Sequence, residues 1–181
     1  MEGAHFMATK NLVSLSEQQL VDCSTQNSGC NGGLMDYAFK YAESNKMMLE
    51  GDYPYLARKR IFSKCSKTKT EGKVEVSTFM DVTPKSKTQM QAALAKGPVA
   101  IAIEADKSVF QTYHSGVMTD ASCGQQLDHG VLAVGYGTEN GQDYFLVKNS
   151  WGASWGDAGY IKLGSADICG MLNQPSQPTT D

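Results

Sequence analysis

Apolar positions in the first part of the chain recur at helical spacing. "LMDYAFKYAESN" sets Leu34, Ala38, Tyr41 and Ala42 on one face, the stripe of a half-buried helix. "SLSEQQLVDCS" opens with Ser16 and carries Gln19 three residues on, the arrangement of a capping box ahead of an amphipathic run. "MEGAHFMATKNLVSL" reads as helix from its first residue, with no cap before Met1. Pro54 in "DYPYLA" breaks regularity, because its ring fixes φ and removes a donor. One more helix, "KTQMQAALAK", stops at Gly97 and Pro98. The period then changes from helix to strand. "VAIAIEA", "HGVLAVGYG", "DYFLVKNSWG" and "GYIKLG" are short β-branched or alternating runs, and "TENGQ" is the turn of a hairpin. Helices first and antiparallel strands afterwards predict an α+β protein of two lobes, 1–80 and 81–181, the last residues returning to the first lobe.

Composition narrows the function classes without naming one. The chain has 181 residues, 41% hydrophobic and 19% charged, with a net charge of −3. So mild a charge gives no electrostatic case for nucleic acid or an anionic membrane as partner. The one basic run, "SKCSKTKTEGK" (63–73), reads as a solvated loop, and the longest apolar stretches are strand-sized. No pair of His, Cys, Asp or Glu has zinc-finger or helical ligand spacing, so neither a metal nor another cofactor is expected.

Five cysteines, Cys23, Cys30, Cys65, Cys123 and Cys169, leave one thiol over if the rest pair. Of the three histidines, His5 and His114 sit in unremarkable surroundings. His129 opens the strand "HGVLAVGYG", and "VKNSWGASWG" supplies Asn149 and Trp151 on the next strand-like segment. A hairpin through "TENGQ" would bring His129 and Asn149 within side-chain reach. An amide oxygen there fixes the tautomer of the imidazole, and an indole beside the bond keeps water off it. That is the base-plus-orienter half of a nucleophilic catalytic group.

Taken in order, "SLSEQQLVDC", "GCNGG", "YPY", "GPVAIAI", "DHGVLAVGYG", "VKNSWGASWG", "GYI" and "CG" make the chain resemble the papain-like cysteine peptidases, cathepsin L-like branch. The resemblance implies a two-lobed fold, a mainly helical lobe and an antiparallel barrel-like lobe with the cleft between them. It implies His129 as general acid–base, Asn149 as its orienter, and Trp151 as the shield and leaving-group wall. For the peptide or protein substrate it implies Gly32 and Gly33 as backbone partners and Asp128 beside the base. Leu34, Met35, Ala105, Leu127 and Gln174 would line an apolar pocket for the second residue before the scissile bond. It implies disulfides Cys23–Cys65 and Cys123–Cys169, with Cys30 orphaned, because the family partner of Cys30 and the nucleophile both belong to a segment that these residues do not contain. By the family signature that nucleophile would lie about ten residues ahead of Glu2. The expectation is therefore an endopeptidase of which these residues are an incomplete part, inactive alone, meeting a pro-segment or protein inhibitor, in a lysosome-like, vacuolar or secreted setting. The competing expectation is a non-catalytic papain-fold subunit of a larger assembly, resting on the absent segment, the tail "QPSQPTTD" and the unusual "LARKRIFSKCSK".

Overall fold

The structure is a computed structural model and describes residues 1–56, 65 and 72–180; all of "LARKRIFSKCSK" but Leu56 and Cys65, and most of the basic run, lie outside them. The chain divides into two units, Met1–Met80 with Pro178–Asp181, and Asp81–Gln177.

In the first unit, α1 (Glu2–Thr9) has Met1 at its N-cap with no side-chain cap. Ahead of α2 (Glu17–Cys23), Ser16 caps as its residue type predicts, accepting from the Gln19 amide at 2.9 Å. The reciprocal half of the capping box does not form. The Ser16 amide donates to Met48 O instead, and the buried Gln19 side chain turns inward. There its Oε1 accepts from Met48 N (2.7 Å) and its Nε2 donates to Tyr41 Oη and Lys46 O, both at 3.1 Å. A buried amide must meet its hydrogen-bonding capacity, and the 46–48 backbone supplies it better than the helix end. α3 (Met35–Ser44) also departs from the sequence pattern. Leu34 lies before the helix in extended backbone and is 45% exposed, while Phe39 and Ala42 are the buried pair. The helix starts one residue later than the stripe assumed, which removes Leu34 from it. Ala42 packs with Leu15, Met47, Val74 and Val76 in the core of this unit.

Around Glu17 three carboxylates meet. Partial burial raises the Glu17 carboxyl above its ordinary value of 4.5, and the Glu50 and Glu2 carboxylates push the same way against the helix-end amide. One Glu50 oxygen, Oε2, is buried without a donor, and a protonated Glu17 would supply one. A folded-state value above the unfolded one stabilises the fold fully below about 4.5 and loses that contribution as pH rises through the raised value. The Glu17→Gln variant is thus expected to hold its Tm between pH 4.5 and 7 better than the natural sequence. The exposure of Glu17 keeps the difference to a few degrees, on the order of what surface charge contacts give. Parallel Tm–pH curves would contradict the shared proton.

The sheet has seven strands: β1 (Thr78–Asp81), β2 (Val99–Ile103), β3 (Val117–Met118), β4 (His129–Glu139), β5 (Gln142–Lys148), β6 (Tyr160–Gly164) and β7 (Ser176–Thr179), in the order β1-β7-β2-β4-β5-β6-β3. The pairs β2–β4, β4–β5, β5–β6 and β2–β7 are antiparallel; the edge pair β3–β6 is parallel, so the sheet is not antiparallel throughout. Asn140 (φ 51) and Gly141 (φ 76) take the two left-handed positions of the β4–β5 turn, as Asn-Gly predicts. The fold is α+β. α4 (Lys87–Leu94), capped by Ser86, and the short α5 (Ser108–Gln111) pack on the sheet, burying Met90 and Phe110 with Ile101, Phe145, Ile161 and Leu163. Gln177 Nε2 donates to Ala93 O (3.0 Å) and Gly97 O (2.8 Å), tying β7 to the last turn of α4 and to the residues that follow it. Among the described residues no helix is long and apolar enough to cross a membrane.

Candidate active site

β4 begins at His129 and Asn149 follows the last residue of β5, so both side chains sit where the hairpin opens. Their facing depends on an irregularity. From the turn, Glu139 pairs with Gln142 and Gly135 with Leu146, but beyond a register shift between Ala133 and Gly135 the pairs become Ala133–Val147 and Leu132–Lys148. Continued one step, the shifted register sets Asn149 opposite Val131, on the same face as His129. The unshifted register would set it opposite Leu132, on the other face. A β-bulge is what allows the two side chains to meet.

They meet at 2.8 Å, His129 Nε2 to Asn149 Oδ1. The direction of this bond is fixed by a third group. The Ser150 amide also donates to Asn149 Oδ1, at 2.7 Å, so that atom is the amide oxygen and an acceptor. In the neutral ring the proton therefore resides on Nε2, and Nδ1 carries the free lone pair. Asn149 is buried and is held from behind by its own amide, which donates to Gly159 O at 3.0 Å; its Nδ2 is buried without a partner.

Trp151 lies against the imidazole, ring centroids 5.2 Å apart and planes 31° from parallel. It covers one side of the ring and is itself 40% exposed, so the cover is partial. Its own place is set by edge contacts with Phe110 (5.5 Å) and Trp155 (5.4 Å). Trp155 is anchored through Nε1 to Gln111 O at 3.0 Å. The support from Phe110 and Trp155 was not read from the sequence; the second tryptophan of "SWGASWG", four residues after the first, was the available signal. Trp151→Ala is expected to cost about 1 kcal/mol of ring orientation, the worth of one aromatic pair. It should also speed solvent exchange of the Nε2 proton of His129, readable by NMR; unchanged exchange would deny the shielding role.

Asp128 is tied to Ala105: Asp128 Oδ1 accepts from Ala105 N at 2.8 Å, and Asp128 N donates to Ile103 O at 2.9 Å. Ala105 is buried, Leu127 half-buried and Gln174 exposed. In the first unit, Gly32, Gly33, Leu34 and Met35 line one largely apolar cavity of about 240 Å³, with Leu20, Val21 and Ala38 behind them. Gly32 holds φ 98, a left-handed value that favours glycine, with open space where a Cβ would be. At Gly33 a Cβ would fall 2.0 Å from Asn27 Oδ1, which accepts from Leu34 N at 2.9 Å, so this glycine is also required by the loop itself.

Sulfur is distributed as two bridges, Cys23–Cys65 and Cys123–Cys169, and one exposed free thiol, Cys30. The second unit, which carries His129, thus has no thiol of its own. Among the described residues no group of three or more His, Cys, Asp or Glu is arranged to hold a metal ion.

Known proteins of the same make-up exist. Cysteine proteinase RD21A of Arabidopsis thaliana is 47% identical over 186 residues, which cover 98% of this chain and 39% of that protein. The crystal structure of the Carica candamarcensis cysteine protease CMS1MS2 in complex with E-64 superposes with a TM-score of 0.90 at 35% identity, covering 99% of this chain and 84% of that one. Digestive procathepsin L 3 of the Tenebrio molitor larval midgut gives 0.91 at 39% identity, over 98% of this chain and 59% of that one. The chain spans about two fifths of the length of the plant relatives it matches. The profile of papain family cysteine proteases matches residues 1–179, and the chain belongs to that family.

Proposed function

We propose that the whole protein is a cysteine endopeptidase, and that the 181 residues hold its acid–base half while the nucleophilic sulfur comes from polypeptide outside them. The observation that carries this reading is the His129–Asn149–Ser150 arrangement, which leaves Nδ1 as the one basic position of the ring. Four of the five cysteine sulfurs are committed to bridges. In the reaction a thiolate adds to the scissile carbonyl carbon. Nδ1–H of the His129 imidazolium gives its proton to the leaving amine, and a thioester forms. The neutral ring then takes a proton from water, whose oxygen attacks the thioester carbon; the carboxylic product leaves and the thiolate–imidazolium pair is restored. Nε2–H stays on Asn149 throughout.

The residues proposed to line the pocket for the second side chain before the scissile bond, Leu34, Met35, Ala105, Leu127 and Gln174, carry no carboxylate. A bulky apolar side chain fits that lining better than arginine, and a positional peptide library preferring arginine there would refute it. Procathepsin and proform relatives support a pro-segment as partner, and the two disulfides support an oxidising route to a lysosomal, vacuolar or secreted location.

The test compares the natural protein with the 181-residue chain. A thiol-directed epoxide should label and inhibit the natural protein at a cysteine outside these residues and leave the 181-residue chain inactive throughout. Hydrolysis by the 181-residue chain, abolished by His129→Ala, would refute the division of labour. A natural protein that neither labels nor hydrolyses peptides would point to the non-catalytic subunit instead.

A further inference from the structure

His129 is the last rung of the β2–β4 ladder, paired with Ile103. Strand ends fray unless something beyond the ladder holds them. What lies beyond is a buried carboxylate. Glu104, the residue after β2, is 2% exposed and turns its side chain onto the segment that leads into His129. Its Oε2 accepts from the Gln126 amide at 2.5 Å, and its Oε1 takes the Lys107 ammonium at 2.8 Å. Its own amide donates to Cys169 O at 2.9 Å, so the backbone that carries it is fixed.

A second observation shows the segment shaped around this group. Gly124 runs at φ 76, and a Cβ there would fall 2.1 Å from Glu104 Oε2. The far side is filled too, since a Cβ on Gly170 would meet Leu127 Cδ2 at 2.9 Å. Residues 124–128 are held between these two surfaces: the Glu104–Gln126 bond fixes their middle, and the bonds of Asp128 to Ala105 N and Ile103 O fix the end next to the ring. Burial of an anion is costly unless it is paired and hydrogen-bonded, and here both oxygens are satisfied. Lys107, and behind it the Gln126 amide, hold the Glu104 carboxyl below its ordinary range, so it stays ionised at neutral pH.

We propose that Glu104 is a positioning residue for His129, holding the 124–128 segment through the Gln126 amide so that the ring keeps its Nε2–H bond to Asn149. The proposal rests on the reading of His129 as the acid–base group only for its catalytic meaning; the structural claim concerns the ring itself. A displacement of about 1 Å suffices to break a 2.8 Å bond of this kind. Lys107 is the outer partner of the carboxylate, contacting the oxygen that does not face residue 126.

The experiment is NMR of the 181-residue chain with isotope-labelled histidine, in which His5 and His114 serve as internal controls. The natural sequence should show a single Nε2–H tautomer at His129. Glu104→Ala should replace it by a mixed or exchange-broadened signal while His5 and His114 stay unchanged. Glu104→Gln, whose amide oxygen can still accept from Gln126, should restore the single tautomer; Lys107→Met should leave it intact. Glu104→Asp keeps the charge but is one methylene too short, and should behave as the alanine variant. If the alanine variant does not fold, the aspartate variant decides. A native His129 tautomer in a folded Glu104→Ala or Glu104→Asp chain would overturn the proposal, whatever the natural protein does to peptides. Failure of Gln to rescue would equally overturn it, by showing that charge and not the Gln126 contact is what matters.

Discussion

Replacing His129 by alanine in the natural protein is expected to lower kcat/KM for peptide hydrolysis by about 10⁴-fold, the upper range of what one positioned acid–base group contributes. On the proposed mechanism the ring does two things: it keeps the thiol as thiolate and protonates the leaving amine. No other side chain described in its unit offers a basic nitrogen at that place, since Asn149 and Ser150 present an amide and a backbone donor. Asn149→Ala should cost less, about 10²-fold, because the imidazole remains and only its tautomer and direction are released. The two variants therefore differ in kind. The first should flatten the dependence of rate on pH attributable to the base, whereas the second should keep it and lower kcat with little change in KM. Both positions are at or near a strand end, so near-ultraviolet circular dichroism should match the natural protein. Equal losses in the two variants would show that Asn149 does more than orient the ring, and a His129→Ala enzyme with more than a hundredth of the natural rate would remove the ring from the chemistry.

Much of the fold was legible because local chemistry and tertiary structure agree. Ser16 and Ser86 cap where their residue type says they should, and Asn140-Gly141 makes the tight turn. What was not legible shares a feature: it depends on partners distant in sequence. Whether Gln19 would close a capping box or reach for Met48 N, twenty-nine residues away, is settled by burial of its amide and not by the S-x-x-Q spacing. The stripe over Leu34–Ala42 mistook a pre-helix residue for a helical one and passed over Phe39, whose ring contact with Phe79 comes from across the unit. The hairpin argument brought His129 towards Asn149, yet a hairpin in the register of its own turn would have aimed the two side chains to opposite faces. The β-bulge between Ala133 and Gly135 corrects that, and nothing in "VLAVGYG" announces which residue is extra. Glu104 escaped notice for the same reason. In "VAIAIEAD" it looks like an ordinary strand-end carboxylate, and its meaning appears only when Gln126 and Gly124 fold over it.

The largest expected change in stability follows from the Cys123–Cys169 bridge. It joins residues 46 apart in sequence, and on the chain-entropy model a loop of that length stabilises the fold by about 4 kcal/mol. Both cysteines are buried to within 1% in the core of the second unit, so their removal also leaves apolar space that neighbours only partly fill. The double variant Cys123→Ala/Cys169→Ala should lose roughly 20 °C in Tm, taking about 5 °C per kcal/mol for a unit of this size. The loss should not be spread evenly. Cys169 sits at φ 57, a left-handed backbone that a non-glycine residue holds at a cost, and its carbonyl accepts the Glu104 amide. Cys123 immediately precedes Gly124, where the segment to His129 begins. Cutting the bridge lets both ends of the Glu104 clamp drift, so the His129–Asn149 bond should open at temperatures where the β4–β5 hairpin is still intact. Histidine NMR followed during a thermal ramp would show the Nε2–H signal of His129 lost before the β4–β5 amides exchange. If the ring signal and the hairpin amides of the double variant vanish together, the bridge serves the unit as a whole and not the segment that delivers the base.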